Sequence, residues 1–392
     1  MPIGVASCQL ADYGYGWGCY KWHPNILWFV GGALLLSGLK ELKIELTQEC
    51  PLACVHCSTS STRKQHSALP ESVVLRLLRE GAEIGVEKVV FTGGEPLVSP
   101  YVGTAIQTAS SLGIYTSLYT TGITDNRLGS LSFSRAEDLV RLGLRRFIFS
   151  IYSARPSIHD SVTRYGSHAA TLTALQNAVS TRAAVEVHFV AMKRNFRDLS
   201  GVVQFAATHG IEKVSVLRFV PQGRGRSIAH IEDLDSSDLL ELTSSVVTLR
   251  VQYPSVTIRT GSPFNILGIG HTPCNAAKDV LVINHRGEIF PCDAFKNVRY
   301  PERAYGSILN TPLSEVWQNS EFLQRVRGIL AQEKQHPCAG CSLTTTCQSG
   351  CLAQKVIRDG WQASMEPDPN CLIETRQDDR QSEPEFIQIT VA

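Results

Sequence analysis

Ten of the twelve cysteines in this 392-residue chain fall into two ordered groups, and that order constrains the fold more than any other feature. Cys50, Cys54 and Cys57 form a CxxxCxxC run, and Cys274, Cys292, Cys338, Cys341, Cys347, Cys351 and Cys371 crowd into the last third. So many thiols require either disulfides in an oxidising compartment or metal in a reducing one. Export has little support. Lys21 is the only Lys or Arg before residue 40, and no small-residue cleavage site follows the apolar run Ile26–Leu36. That run is shorter than the roughly 20 apolar residues that span a bilayer. It reads as a buried strand or helix, with membrane contact as the lesser alternative. The cysteines therefore read as reduced, metal-held thiolates of a cytoplasmic protein.

From residue 41 to about 260, short runs rich in Val, Ile and Phe alternate with amphipathic stretches. Residues 42–46, 88–91, 114–118, 146–151, 185–191 and 214–219 read as strands. Helical patterns lie near 71–84, 102–112, 134–143, 168–181 and 198–209. This alternation predicts an α/β fold with a parallel sheet and right-handed crossovers. Six units favour a partial TIM-type barrel, with an open doubly wound sheet as the alternative. Either places ligands at the C-terminal ends of the strands. The expected organisation is an extension over 1–40, a barrel over 41–260, a cysteine-rich iron–sulfur domain over 261–375 and a tail over 376–392. With Lys+Arg at 37 and Asp+Glu at 36, the chain lacks the basic surplus of a broad nucleic-acid footprint. No nucleic-acid partner is expected.

Cys50, Cys54 and Cys57 supply three of the four thiolates that a [4Fe–4S] cluster takes, which leaves one iron open to a ligand. His56 sits within the run. One β/α unit later come Gly93, Gly94 and Glu95, where two glycines allow close backbone approach and a carboxylate can accept hydrogen bonds. A CxxxCxxC after the first strand and a Gly-Gly-Glu after the second resemble the radical S-adenosylmethionine (SAM) superfamily. The resemblance implies that the open iron chelates SAM and that one electron cleaves it, giving a 5′-deoxyadenosyl radical that removes a substrate hydrogen. It also implies that Gly93, Gly94 and Glu95 face the amino group of SAM and that His56 lies near the adenine. Ser150, at a strand end, and Arg164 would hold the ribose and carboxylate. Where many relatives carry Asp-Gly this chain has Tyr152 and Ser153. The end of the sixth strand would pair with adenine, and the loop Gln222–Arg226 could touch substrate or simply be solvated.

The seven later cysteines resemble the SPASM domain of the same enzymes. Gly287 marks a hairpin turn that would return Cys292 towards Cys274. By resemblance, Cys274, Cys292 and Cys351 hold one auxiliary [4Fe–4S] cluster, one ligand short, and Cys338, Cys341, Cys347 and Cys371 hold a second. Zinc sites are the alternative for such spacings. Cys8 and Cys19 read as ordinary core or surface thiols. Asp293 follows Cys292, and some relatives that oxidise peptidyl serine or cysteine use an aspartate here as a base. A structural hydrogen bond to the cluster loop is its other reading. The expected function is oxidation or cross-linking of a ribosomally made peptide by an enzyme with SAM and three clusters. It would be served by a donor such as flavodoxin or ferredoxin and by a separate leader-peptide-binding protein. A small-molecule substrate, such as a cofactor precursor, sugar or antibiotic intermediate, is the alternative. A non-catalytic redox-sensing scaffold is the reading from another class.

Overall fold

The computed structural model describes residues 38–270, 273–298 and 307–372, together with two short strands, Phe29–Val30 and Ala33–Leu34, that pair antiparallel. Those strands fall within the apolar run at 26–36. The readings of Cys8, Cys19 and the tail at 376–392 lie outside the described residues.

Six strands follow one another in parallel register: β1 (Glu41–Thr47), β2 (Lys88–Gly93), β3 (Tyr115–Thr120), β4 (Arg146–Ser150), β5 (Ala184–Ala191) and β6 (Lys213–Arg218). All six coincide with the runs read from the sequence, because each is a short block of β-branched and aromatic residues. Their crossover helices, α1 (Glu71–Glu83), α2 (Val102–Ser111), α3 (Phe133–Arg141), α5 (His168–Val179) and α6 (Leu199–Thr208), pack apolar faces on the sheet. In α1, for example, Val74, Leu77, Leu78 and Gly81 are buried at helical spacing. Phe91, Phe147, Phe149 and Phe189, fully buried, come from three of the strands and lie in the central core.

β1 does not pair with β6. Instead β6 pairs with β7 (Thr257–Thr260), while β1 pairs with β8 (Val280–Ile283), which turns back as β9 (Ile289–Phe290). The result is a nine-stranded sheet in which the six-unit repeat stays open, as a partial barrel requires. The β8–β9 hairpin turns at Gly287, whose φ of +80 suits glycine. All four residues of β8 are buried, so the start of the cysteine-rich region is woven into the sheet of the repeat. A boundary at 260/261 marks a change of sequence pattern and not a gap in packing. Before residue 260, three helices were not read from the sequence: α4 (Pro156–Thr163), α7 (Gly225–Glu232) and α8 (Ser236–Gln252); nor were the helices Leu313–Asn319, Glu321–Ala331 and Leu352–Asp359 in the cysteine-rich region.

Candidate metal and cofactor site

The loop leaving β1 brings Cys50, Cys54 and Cys57 together at the C-terminal ends of the strands. Cys50 and Cys54 are at most 9% exposed. Burial pushes the Cys50 thiol well up, and the charges of Cys54, Glu95 and Cys57 push it further. The Cys54 thiol rises to about 12 through burial and the neighbouring Cys57. Three crowded cysteines, two of them buried, repel one another as thiolates when alone and suit a cationic iron core, since metal ligation requires their thiolate forms.

The loop's backbone is held from several sides. Cys50 N–H donates to Thr62 O (3.2 Å), and Ala53 and Val55 N–H donate to Thr163 O and Val162 O (3.3 and 2.9 Å). Gly93 and Gly94 press against its lead-in. A Cβ on Gly94 would stand 2.1 Å from Glu49 O, and one on Gly93 would stand 2.4 Å from Thr47 O. The glycines thus make room first for the chain's own backbone. Glu95 is fully buried, and its carboxylate accepts from Leu97 N–H (3.1 Å), Thr120 Oγ1 (2.7 Å), Thr121 N–H (2.7 Å) and Thr121 Oγ1 (2.6 Å). This side chain ties the end of β2 to the end of β3.

His56 is not a solvent-facing loop residue. Its ring meets Tyr152 edge-on at 4.9 Å, and burial, with Arg224 and Arg194, lowers its pKa to about 4. Tyr152, 5% exposed, lies beside Cys54 and Ser150, and burial, with the charge of Cys54, raises its own phenol well up. Ser150, at the end of β4, neighbours that phenol as the cysteine loop does. Arg164 is exposed at the left-handed cap of α4 (φ +68) and makes no ion pair with a described residue. Behind Tyr152 lies His159, 1% exposed, whose Nδ1 accepts from Tyr152 N–H at 3.4 Å. Burial, with His168 adjacent, lowers its pKa to about 3. The unfolded chain binds this proton near pH 6.5, so His159 stabilises the fold above that pH and loses its contribution as pH falls towards 3. A melting temperature that drops between pH 7 and 5, by less in His159→Gln, is the expected outcome. Parallel pH slopes for the two proteins would refute it.

The later cysteines gather as two neighbouring groups. Cys292 is raised first by burial and then by the charges of Cys274 and Cys351, so those three thiols face one another. Cys338, Cys341, Cys347 and Cys371 line one small cavity with Ile266, Leu343 and Asp368. The same division followed from resemblance.

Asp293 accepts from Lys43 Nζ (2.7 Å) and Lys296 Nζ (2.8 Å), and Lys296 also reaches Glu45 (2.8 Å). Burial would raise its carboxyl, yet the two ammoniums outweigh that and hold it well below the usual carboxylate range. It stands as an ionised, doubly paired anion with nearly half its side chain accessible. Sequence reasoning missed Lys43, Lys296 and Tyr152, because a strand lysine or a loop tyrosine carries no local signal of such a role. Arg218, at the end of β6, points its guanidinium at Asp368 through two 2.9 Å bonds. Asp368 also accepts from Cys351 N–H (2.9 Å).

Residues 44–206 match the radical SAM superfamily, and residues 274–342 match the SPASM iron–sulfur cluster-binding domain. The PqqA peptide cyclase of Streptomyces rochei is 25% identical over 328 residues, 83% of this chain and 87% of that protein. In fold, the chain is similar to Streptococcus suis SuiB bound to S-adenosylmethionine, with TM-score 0.69 and 20% identity over 86% of this chain and 78% of that one. It is also similar to anSMEcpe with bound AdoMet, with TM-score 0.66 and 15% identity over 88% and 92%. With one thiol group built on the strand repeat and two on the cysteine-rich region, and with both regions matched, the chain carries a radical SAM domain and a SPASM iron–sulfur cluster-binding domain.

Proposed function

We propose that the chain oxidises or cross-links a ribosomally made peptide, using SAM and three [4Fe–4S] clusters. The observation that carries this reading is the grouping of ten thiols into three sets within one compact unit, the first at the strand ends where ligands bind. When bound, SAM on its cluster supplies a 5′-deoxyadenosyl radical for hydrogen removal, and the auxiliary clusters supply a route for the substrate's electron. The chain's own residues do the rest. Cys50, Cys54 and Cys57 hold the first cluster, and Cys274, Cys292 and Cys351 with Cys338, Cys341, Cys347 and Cys371 hold the others. Gly93 and Gly94 set the cysteine loop, while His56 and Tyr152 wall it. Asp293, fixed as an anion, is suited to orient a donor group of the substrate beside Cys292 and poorly suited to take its proton.

A peptide substrate is supported by curated relatives named PqqA peptide cyclases along 83% of the chain. The fold neighbour SuiB is also described bound to its precursor peptide SuiA. A flavodoxin or ferredoxin is the proposed donor of the reducing electron, and a separate leader-peptide-binding protein the proposed second partner. Thiolate-held iron suits the reducing cytoplasm. Among the described residues no helix is long and apolar enough to cross a membrane.

Anaerobically reconstituted protein, given SAM and dithionite, is expected to bind about twelve irons and release 5′-deoxyadenosine. Co-expression with a short peptide encoded beside its gene is expected to lower that peptide's mass by a pair of hydrogens. Fully loaded protein that leaves SAM intact would sink the enzymatic reading. SAM cleavage with every such peptide unchanged would point to a small-molecule substrate.

A further inference from the structure

Of the segment after β6, Arg226 is exposed, while Gln222 to Arg224 turn inward. The segment runs between the loop of the first thiol group and the loop of Cys292. Gln222, 2% exposed, donates from Nε2 to Asp293 O (2.9 Å) and accepts from Asn297 N–H through Oε1 (3.2 Å). Its amide thus spans both ends of the short helical turn that begins at Asp293. Asn297 in turn donates from Nδ2 to Ser58 O (2.5 Å), one residue past Cys57.

The next two residues complete the junction. Gly223 has φ +56, and a Cβ there would stand 2.4 Å from Cys57 O and 2.3 Å from Ser58 O. Arg224 donates from its backbone N–H to Cys57 O (3.0 Å) and from Nε to Cys54 O (2.9 Å). From the other side, Gln354, in the helix that follows Cys351, donates to Phe219 O (2.7 Å) and is fully buried. Thus a single stretch of chain, 218–224, is bonded to loops carrying cysteines of all three groups.

We propose that Gln222 is a positioning residue that registers the loop of Cys54–Ser58 against the loop of Cys292, through Asn297. The inference rests on the functional reading above, because two clusters must address one substrate from fixed positions. An uncharged amide is required, since Gln222 donates and accepts at once. A glutamate keeps the acceptor for Asn297 N–H and loses the donor to Asp293 O. Displacement of about an ångström between reacting groups can cost two orders of magnitude in rate, so such a register is under chemical demand.

The test uses cluster-loaded enzyme and reads the register directly. Hydrogen exchange in Gln222→Ala is expected to quicken about tenfold in residues 57–60 and in 292–298 together, with iron content unchanged. In dithionite-reduced enzyme, the power saturation of the cluster signals, which depends on the distance between paramagnets, is expected to shift as well. Asn297→Ala cuts the Ser58 arm alone. Added to Gln222→Ala it should change little further, because both act on one relay. Quickened exchange at 292–298 only, or additive effects of the two variants, would overturn the proposal. Should Gln222→Ala fail to load, Gln222→Glu is read in its place with the same two outcomes. Exchange does not depend on SAM cleavage. An inactive wild type would therefore refute the function, while the exchange pattern would still support or overturn the role of Gln222.

Discussion

Replacing Cys54 by Ala is expected to abolish 5′-deoxyadenosine formation and to lower bound iron by about four per chain, from about twelve to about eight. Cys54 is the middle thiol of its group, 9% exposed, with Cys57, Tyr152 and Arg224 around it. The group has no spare donor, since Cys50 and Cys57 are the only other cysteines between residues 20 and 273. The auxiliary groups stand on other elements, β8–β9 and the segment from Cys338 to Cys371, so their iron should persist. Iron and sulfide analysis with chromatographic detection of 5′-deoxyadenosine decides the matter. Retained SAM cleavage, or loss of all iron, would contradict the division into independent sites.

The largest effect on stability is expected at Asp368. Its side chain is fully buried and the Arg218 side chain is 4% exposed, so Asp368→Ala leaves a guanidinium buried with no carboxylate. Breaking such a pair costs about 3–5 kcal/mol, whereas replacing both partners by apolar groups of similar size is often near neutral. Asp368 also accepts from Cys351 N–H and, through its backbone carbonyl, from Cys371 N–H (2.8 Å). Asp368→Ala should therefore lower the melting temperature by about 5–10 °C and release auxiliary iron. Arg218→Met combined with Asp368→Leu should recover most of the stability while the iron loss persists. A stable, fully loaded Asp368→Ala would show that the pair contributes little to either.

Much of the fold was legible because its signals are local. Strands β1 to β6 announce themselves as short blocks of β-branched and aromatic residues, and their helices as 3.6-residue stripes. The missed elements had weaker signals: β7 has four residues, and α7 begins within a Gly- and Arg-rich stretch that reads as loop. The site divided in the same way. Cysteine spacing revealed the donors, since thiolates on one loop must converge, whereas the character of Asp293 depended on Lys43, some 250 residues away. The protein partners of Glu95 and His56 were hidden for a similar reason, since one is hydrogen-bonded at the end of β3 and the other packed on Tyr152.

The sequence by itself determined the repeat of strands and helices and the two ordered groups of thiols, through periodicity and spacing, which are properties of neighbouring residues. The division of the later thiols into two sets, and the class of chemistry, came from resemblance to a known family. Tertiary structure alone decided that the sheet runs on into the cysteine-rich region through β8, that Asp293 is held as an anion, and that Gln222 lies between two cysteine loops. Those are matters of burial and of hydrogen bonds between distant segments, and they come into being only when the chain folds.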